Sequence, residues 1–181
     1  MTISKTNLEG CFIVEPKIFE DKRGCFFESY NAELFNSHAG ANIDFVQDNE
    51  SFSIQGVLRG LHFQKGIHAQ AKLVRVIQGR VLDVVVDIRE NSETYGQHTS
   101  VILSAANKRQ LFVPRGFAHG FVVLSKEAVF SYKCDNYYNK PAESGIRFND
   151  PKLNIDWVLP MDKLIISDKD LELPYLNDLQ S

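Results

Sequence analysis

Cysteine is scarce in this chain of 181 residues, which contains only Cys11, Cys25 and Cys134. An odd number of cysteines without paired spacing fits neither a disulfide framework nor a zinc site. We therefore expect reduced thiols and predict a cytoplasmic protein.

Long apolar runs are also missing. The first ten residues, MTISKTNLEG, contain no hydrophobic stretch of the kind found in secretory signals. No segment approaches the roughly 20 consecutive apolar residues that a membrane-spanning helix needs. We expect neither export nor membrane insertion.

The sequence has no excess of basic residues: 20 Lys and Arg stand against 23 Asp and Glu, for a formal net charge of -3. Proteins that bind the phosphate backbone of nucleic acids usually carry a strongly basic face, so we predict no nucleic-acid partner. A small phosphorylated ligand remains compatible with this balance, since it needs only a few local cations.

Apolar residues, by contrast, are present in the amount typical of a folded domain. Hydrophobic residues make up 44% of the chain and charged residues 24%. There is no internal repeat, low-complexity tract or linker. We predict a single domain over residues 1–181.

Short β-branched segments give the clearest structural signal. Residues 73–77 and 81–88 are rich in Val, Leu and Ile, and Gln78-Gly79-Arg80 between them is suited to a turn. Further strands are predicted at residues 12–16, 24–30, 45–54, 99–103, 110–113, 120–124 and 128–134. Many short strands at near-regular spacing are typical of a jelly-roll sandwich or barrel.

One helix is predicted after Tyr30. Asn31 is a good N-cap residue, helix formers follow it, and Gly40 ends the segment. The chain from residue 141 onward is less regular and is interrupted by prolines. We predict an all-β fold with a few short helices, a jelly-roll core over about residues 10–140 and an irregular segment over about residues 141–181.

Two histidines lie in segments with chemical potential. In the segment FVPRGFAHGF, Pro114, Gly116 and His119 have the P-x-G-x-x-H spacing of the second cupin motif, in which the histidine binds a metal. The first cupin motif requires H-x-H and a following Glu, but His62 is followed by Phe63 and no Glu occurs in the next twenty residues. We therefore predict a cupin-like barrel without a metal site.

In the strand predicted around His62, the two polar side chains Arg59 and His62 point to opposite faces. In an extended chain Arg59 and Leu61 share one face and His62 takes the other, so a polar group must turn inward or the strand must bulge. The segment FVQDNESFS alternates, so that Gln47 and Asn49 lie on one face with amides suited to a base or sugar. Taken alone, each feature is more typical of a solvent-exposed strand than of a binding site.

Taken together, these segments resemble the dTDP-4-dehydrorhamnose 3,5-epimerase family, in order and at family-like spacing from about residue 10 to 174. The matching segments are FVQDNESFS, VLRGLHFQ, AQAKLVRVIQGRVLDVVVDIR, LSAANKRQLFVPRGFAHGF, YKCDNYY and SDKD. The resemblance implies a cofactor-independent enzyme that inverts carbons 3 and 5 of dTDP-4-keto-6-deoxy-D-glucose to give dTDP-4-keto-L-rhamnose.

The resemblance also implies roles for four catalytic residues. His62 is the expected base, oriented by Asp170, with Asp83 as a further candidate for its support. Tyr132 is expected to return a proton from the opposite face of the sugar. Lys72 is expected near the oxygen that becomes negatively charged.

A larger set of residues is implied to contact the substrate. Arg23 and Arg59 are suited to pyrophosphate oxygens, and Tyr138 is expected to stack on the thymine ring. The full set is Arg23, Phe26, Glu28, Gln47, Asp48, Asn49, Arg59, His119, Tyr138, Glu143 and Lys169. Family resemblance further implies a homodimer, in which the first residues join the partner's sheet.

Three other interpretations compete with this one. The nearest is a mono-epimerase or a 3,4-ketoisomerase that acts on the same or a related nucleotide 4-keto sugar. A metal-dependent cupin enzyme is the second, and the incomplete first cupin motif argues against it. A non-catalytic sugar-binding barrel is the third, and it would have no need for a base and an acid.

Overall fold

The computed structural model describes residues 1–179, most of which lie in short β-strands or in loops. In chain order the strands begin with β1 (Thr2–Lys5), β2 (Phe12–Glu15), β3 (Ile18–Asp21), β4 (Gly24–Phe27), β5 (Gln47–Ile54), β6 (Leu58–Gln64) and β7 (Lys72–Gln78). They continue with β8 (Arg80–Asp87), β9 (His98–Ser104), β10 (Gln110–Val113), β11 (Phe117–Val123), β12 (Glu127–Cys134) and β13 (Glu143–Gly145). The helices of more than one turn are α1 (Ala32–Ala39) and α2 (Asp168–Leu171).

Two antiparallel sheets form the body of the protein. The six-stranded sheet has the order β1-β2-β10-β7-β12-β5, and the five-stranded sheet has the order β13-β6-β11-β8-β9. Buried side chains of both sheets meet in one apolar cluster, which includes Val74, Val85, Phe121 and Phe130. Burial of such side chains is the main favourable contribution to packing two sheets face to face. The architecture is the cupin-like jelly roll that the sequence predicts.

The strongest sequence signals are confirmed with small shifts of their ends. The segments predicted at residues 73–77 and 81–88 are β7 and β8, and β8 is buried along nearly its whole length because it lies between β11 and β9. Gly79 joins them with a φ of +81°, and a Cβ atom there would lie 2.1 Å from the carbonyl oxygen of Glu127. The turn therefore requires glycine.

Three strands were not predicted, and each lacks the alternation that identifies a strand. β3 is exposed at all four positions, so its pairing with β4 leaves no pattern of buried residues. β13 has only three residues and is fixed by pairing with β6. β1 pairs with β2 of the same chain and forms the edge of the six-stranded sheet.

The predicted helix is confirmed as α1. The side chain of Asn31 accepts a hydrogen bond from the backbone N–H of Leu34 at 3.1 Å, and Gly40 adopts the left-handed conformation with a φ of +67°. Phe35 is fully buried, and its ring lies 5.8 Å from that of Phe12 and 5.2 Å from that of Phe112. The helix thus packs against the outer face of the six-stranded sheet at Phe12 and Phe112.

The segment predicted to be irregular covers the outer face of the five-stranded sheet. Phe148 and Trp157 pack there in a second buried cluster, and Trp157 donates a hydrogen bond to the carbonyl of Phe148 at 2.9 Å. Buried Asp150 accepts a hydrogen bond from the backbone N–H of Leu176 at 2.6 Å. These contacts bring α2 against β6. The last two positions of the segment, 180 and 181, lie outside the described residues.

Within residues 1–179, no helix is both long enough and apolar enough to cross a membrane.

A buried carboxylate at the end of β8 organises the loop that follows. Asp87 is fully buried and accepts hydrogen bonds from the guanidinium of Arg89 and from the hydroxyls of Ser92 and Thr94, both at 2.6 Å. Burial alone would raise the pKa of Asp87, but these hydrogen bonds outweigh it and hold the pKa well below the usual range of an aspartate.

We predict that Asp87→Asn lowers the free energy of unfolding by about 3 kcal/mol at pH 7, because Arg89 loses its buried partner. A carboxyl whose pKa is lower in the folded state than in the unfolded state stabilises the protein when the pH is above the unfolded-state value, near 3.9. This contribution is lost as the pH falls toward the folded-state pKa. The gap between wild type and variant, measured by urea unfolding, should therefore shrink by about 1 kcal/mol between pH 5 and pH 3. Exposed Glu93→Gln in the same loop is the control, and a gap independent of pH would contradict the role of the charge.

Candidate active site

Two connected chambers open between the sheets. The main chamber has a volume of about 550 Å³, and the side chamber has a volume of about 250 Å³. His62, Lys72 and Tyr132 border both chambers. Of the other residues predicted from the sequence, the main chamber contains Arg59, His119, Lys169 and Asp170. The side chamber contains Gln47, Asn49, Tyr138 and Glu143.

A bulge in β6 resolves the opposite orientation that the sequence predicts for Arg59 and His62. His62 lies opposite His119 of β11, whereas Arg59 lies opposite Phe121, so one strand has an extra residue between the two pairs. Gly60 has a φ of +118°, and a Cβ atom there would lie 2.7 Å from the backbone of β11. The bulge turns both Arg59 and His62 toward the main chamber. A bulge was one of the two alternatives that the sequence allowed.

His62 is oriented by a carboxylate from α2. Its Nε2 atom lies 2.7 Å from Oδ1 of Asp170, and Oδ2 of Asp170 accepts a hydrogen bond from the backbone N–H of Gly60 at 3.1 Å. Burial would raise the pKa of Asp170, but the contacts with His62 and with Gly60 outweigh it and lower that pKa. The carboxylate therefore stays charged, and Nδ1 of His62 is the ring nitrogen available to a bound molecule.

Asp83 is bound to His119, and the expectation that it supports His62 is wrong. Its two carboxylate oxygens lie 3.0 and 2.9 Å from Nε2 of His119, and both side chains are buried. The reason is strand order: β11 separates β8, which carries Asp83, from β6, which carries His62. Burial raises the pKa of Asp83, although His119 and Lys72 favour its charged form.

Lys72 and Tyr132 occupy the wall opposite His62. They belong to neighbouring strands of the six-stranded sheet, and the Nζ atom of Lys72 lies 6.0 Å from the centre of the Tyr132 ring. Burial lowers the pKa of Lys72, because its effect outweighs the charges of nearby Cys134 and Asp83, which would raise that pKa. Burial also raises the pKa of Tyr132, so its phenol is protonated at neutral pH. Lys72 makes no ion pair with any residue in 1–179.

The side chamber is bounded by a chain of polar contacts. The hydroxyl of Tyr138 donates to Glu143 at 2.8 Å, and Nζ of Lys169 lies 2.6 Å from the same carboxylate. Gln47 donates to the side-chain oxygen of Asn49 at 3.0 Å. Amides and an aromatic ring thereby line the side chamber, and Glu143 links it to Lys169 of the main chamber.

Four predicted substrate contacts lie outside both chambers. Arg23 and Phe26 belong to the β3–β4 hairpin, and Phe26 is 71% exposed. Glu28 follows the hairpin and accepts a hydrogen bond from Asn31 at 3.3 Å. Asp48 alternates with Gln47 and Asn49 along β5, so it points to the outer face, where it pairs with Lys133 at 2.9 Å.

The sequence interpretation missed the apolar part of the main chamber. Phe121 and Phe130 stack with their centres 4.1 Å apart, and Ile165 and Ile166 of the C-terminal segment complete the lining. Phe121 ends the segment FVPRGFAHGF, two residues after His119, and this spacing could have indicated that both side chains face the chamber. Nothing in the sequence around Ile165 indicated that it reaches the chamber.

Metal-binding geometry is not found among residues 1–179, where no three His, Cys, Asp or Glu side chains are grouped to hold an ion.

The fold and the chambers define a cupin-like barrel with titratable side chains on both walls of its interior. A family model described as dTDP-4-dehydrorhamnose 3,5-epimerase matches residues 5–178. The chain belongs to this family.

Individual relatives are similar along nearly their whole length. A dTDP-4-dehydrorhamnose 3,5-epimerase from Methanothermobacter thermautotrophicus is 53% identical, over 92% of this chain and 89% of that protein. The crystal structure of such an enzyme from Elizabethkingia anophelis has a TM-score of 0.97 and 57% identity, with 100% of this chain and 99% of that chain covered. A dTDP-6-deoxy-D-glucose-3,5-epimerase from Legionella pneumophila, solved in complex with dTDP-4-keto-L-rhamnose, has a TM-score of 0.95 and 48% identity, with 99% and 94% covered.

We predict that Lys72 and Asp83 are energetically coupled. Asp83→Asn should lower the free energy of unfolding by about 3 kcal/mol, because Lys72 and His119 lose their carboxylate neighbour. The double variant Lys72→Met/Asp83→Asn should be less destabilised than the sum of the single variants by about 1 kcal/mol. Chemical denaturation of all four proteins measures this coupling.

The exposed pair Lys133 and Asp48 provides the matched control, in which Lys133→Met and Asp48→Asn should couple by no more than about 0.5 kcal/mol. Additive effects at Lys72 and Asp83 would contradict the coupling.

Proposed function

We propose that this protein converts dTDP-4-keto-6-deoxy-D-glucose to dTDP-4-keto-L-rhamnose by inverting carbons 3 and 5 without a cofactor. One observation carries the proposal beyond family membership. His62 lies on the five-stranded sheet and Tyr132 on the six-stranded sheet, so the two side chains proposed as base and acid face one chamber from opposite walls. Inversion needs this arrangement, since a proton must leave one face of the sugar and return to the other.

The first step of the proposed reaction is proton abstraction by His62. The C–H bond next to the ketone breaks, its electron pair moves onto the ketone oxygen to form an enolate, and the imidazole takes the proton. Asp170 holds the ring in position and favours the imidazolium that forms. Lys72 is the cation placed to stabilise the enolate oxygen, an effect comparable in kind to an oxyanion-hole donor.

The second step is protonation from the opposite face. The O–H bond of Tyr132 breaks as a new C–H bond forms, and the enolate returns to the ketone. The tyrosinate then regains a proton, and the imidazolium loses one, through solvent before the other carbon reacts. His119 contacts the sugar in this arrangement, and the stacked rings of Phe121 and Phe130 keep that part of the chamber apolar.

For the nucleotide we propose the side chamber and the part of the main chamber that contains Arg59 and Lys169. Arg59 and Lys169 supply the positive charge that a pyrophosphate requires. Gln47 and Asn49 offer amides, and Tyr138 offers an exposed ring for the thymine. Glu143 holds Tyr138 and Lys169 together. Binding energy from these contacts positions the reacting carbons in the main chamber.

Incubation of the purified protein with dTDP-4-keto-6-deoxy-D-glucose in heavy water, without a reductase, tests the proposal. Mass spectrometry and NMR locate deuterium on the sugar. Label at both carbons 3 and 5 supports double epimerisation. Label at one carbon assigns a mono-epimerase, and label at neither carbon contradicts the proposal and favours a ketoisomerase or a binding protein.

We predict that two single variants separate the base from the acid in this assay. His62→Ala should lose incorporation of deuterium by at least about 10³-fold while it still binds dTDP, because the variant lacks the imidazole proposed to take the proton. Tyr132→Phe should retain part of the exchange but lose inversion, because only the second face lacks its donor. An active His62→Ala protein, or a fully active Tyr132→Phe protein, would assign the role to another residue.

We further propose that the protein acts as a cytoplasmic homodimer. The part of the six-stranded sheet not covered by α1 exposes Phe52 (58%) and Ile54 (52%) on its outer face. On the same face Arg75 is partly buried and contacts the ring of Phe27 at 6.0 Å, but pairs with no carboxylate in residues 1–179. A second copy seated there would cover the apolar side chains and offer a partner to Arg75. The three free cysteines fit a reducing compartment.

In such a dimer the exposed β3–β4 hairpin lies free to reach the partner. Arg23, Phe26 and Glu28 would then contact a nucleotide held in the partner's chambers, which explains why they lie outside the chambers of their own chain.

We predict that light scattering gives twice the chain mass of 20.6 kDa for the wild type, and that Phe52→Glu shifts the protein toward the monomer because it places a charge in the apolar interface. Ile67→Glu is the control, since Ile67 is 85% exposed in the turn between β6 and β7, away from this sheet face. A monomeric wild type would contradict the proposed dimer.

A further inference from the structure

Gln64 is a buried polar residue to which neither the sequence nor the proposed reaction assigns a role. It ends β6, two residues after His62, and only 7% of it is exposed. Its side chain borders the side chamber. A buried amide with this location needs hydrogen-bond partners, and those partners identify what it holds in place.

The amide of Gln64 connects two loops. Its Nε2 atom donates to the carbonyl of His68 at 2.7 Å and to the carbonyl of Tyr137 at 3.2 Å. Its Oε1 atom accepts from the backbone N–H of Asn139 at 2.6 Å. Both amide hydrogens and one oxygen lone pair are thus used by main-chain groups.

A second glutamine fixes the residue between these contacts. Oε1 of Gln47, on β5, accepts from the backbone N–H of Tyr138 at 3.0 Å. Three successive loop residues, Tyr137, Tyr138 and Asn139, are therefore held through their backbones by side chains from both sheets. The Tyr138 hydroxyl is fixed separately by Glu143.

We propose that Gln64 is a positioning residue for nucleotide binding: it fixes the loop of residues 137–139 so that the Tyr138 ring is set in place before the ligand arrives. The proposal rests on the proposed function, because the ligand stacked on Tyr138 is the base of a nucleoside diphosphate. A preformed ring binds a base more tightly than a mobile one, since less ordering occurs on binding.

Gln64 acts on binding and not on proton transfer. Its side-chain hydrogen bonds go to main-chain atoms of residues 68, 137 and 139, and none of them goes to His62, Lys72 or Tyr132. Loss of the amide should therefore raise the dissociation constant for dTDP and leave kcat nearly unchanged.

The experiment compares Gln64→Met with the wild type in three measurements: the dissociation constant for dTDP by calorimetry, kcat for deuterium exchange into the sugar, and amide hydrogen exchange of the peptide that contains residues 137–139. We expect about a tenfold rise in the dissociation constant, a kcat within about twofold, and faster exchange at Tyr138 and Asn139. Gln64→Glu is the second variant, because it keeps the acceptor for Asn139 but loses both donors. The same three changes are expected for it.

Thr94→Val is the matched control, since it removes one hydrogen bond to Asp87 in the loop after β8, and Gln64 and residues 137–139 keep their hydrogen bonds. It should lower the melting temperature without changing dTDP affinity or exchange in residues 137–139. An unchanged dissociation constant in both Gln64 variants, or a fall in kcat without a change in affinity, overturns the proposal.

The outcome for the wild type separates this inference from the proposed function. If the wild type fails to bind dTDP, the nucleotide assignment falls for both proposals. Loop exchange in Gln64→Met still decides whether Gln64 fixes residues 137–139.

Discussion

The shift of register between β6 and β11 is the constraint on which the candidate site depends. Without the extra residue, Arg59 and His62 would face opposite sides of a regular strand, and the chamber would contain one of them only. Gly60 and Gly120 make the shift compatible with close packing, because a Cβ atom at either position would lie within 2.7 Å of the other strand. A backbone requirement thus decides which side chains share the chamber.

Burial shifts the pKa values of charged groups on both walls of the chamber. Asp83 and Lys72 lie in the interior, where an isolated charge is costly, and each favours the charged form of the other. Asp170 differs from Asp83, since its contacts with His62 and with the backbone of Gly60 keep its pKa low. The pairs Asp170–His62 and Asp83–His119 therefore differ in their electrostatic surroundings. The imidazole of His62 is partly exposed to the chamber, whereas that of His119 is buried.

Elements that are determined by nearby residues in the sequence could be predicted, whereas elements that depend on contacts with residues far away in the chain could not. β10 was predicted with its observed ends, and α1 with its caps, because local preference and burial agree there. β13 and α2 depend on contacts with β6 and have little local signal. Alternation along β5 correctly placed Gln47 and Asn49 together, and it also explains why Asp48 faces away.

The pairing of His62 with Asp170 illustrates what spacing alone could not supply. The two residues are 108 positions apart, and only the family resemblance joined them before the structure was known. Their contact has a consequence for biosynthesis. The sheets are complete by Gly145, yet the imidazole has no carboxylate until the segment that follows has wrapped across the five-stranded sheet and delivered α2. A nascent chain that has not yet delivered α2 therefore leaves His62 without its carboxylate, so orientation of the imidazole depends on folding of the C-terminal segment.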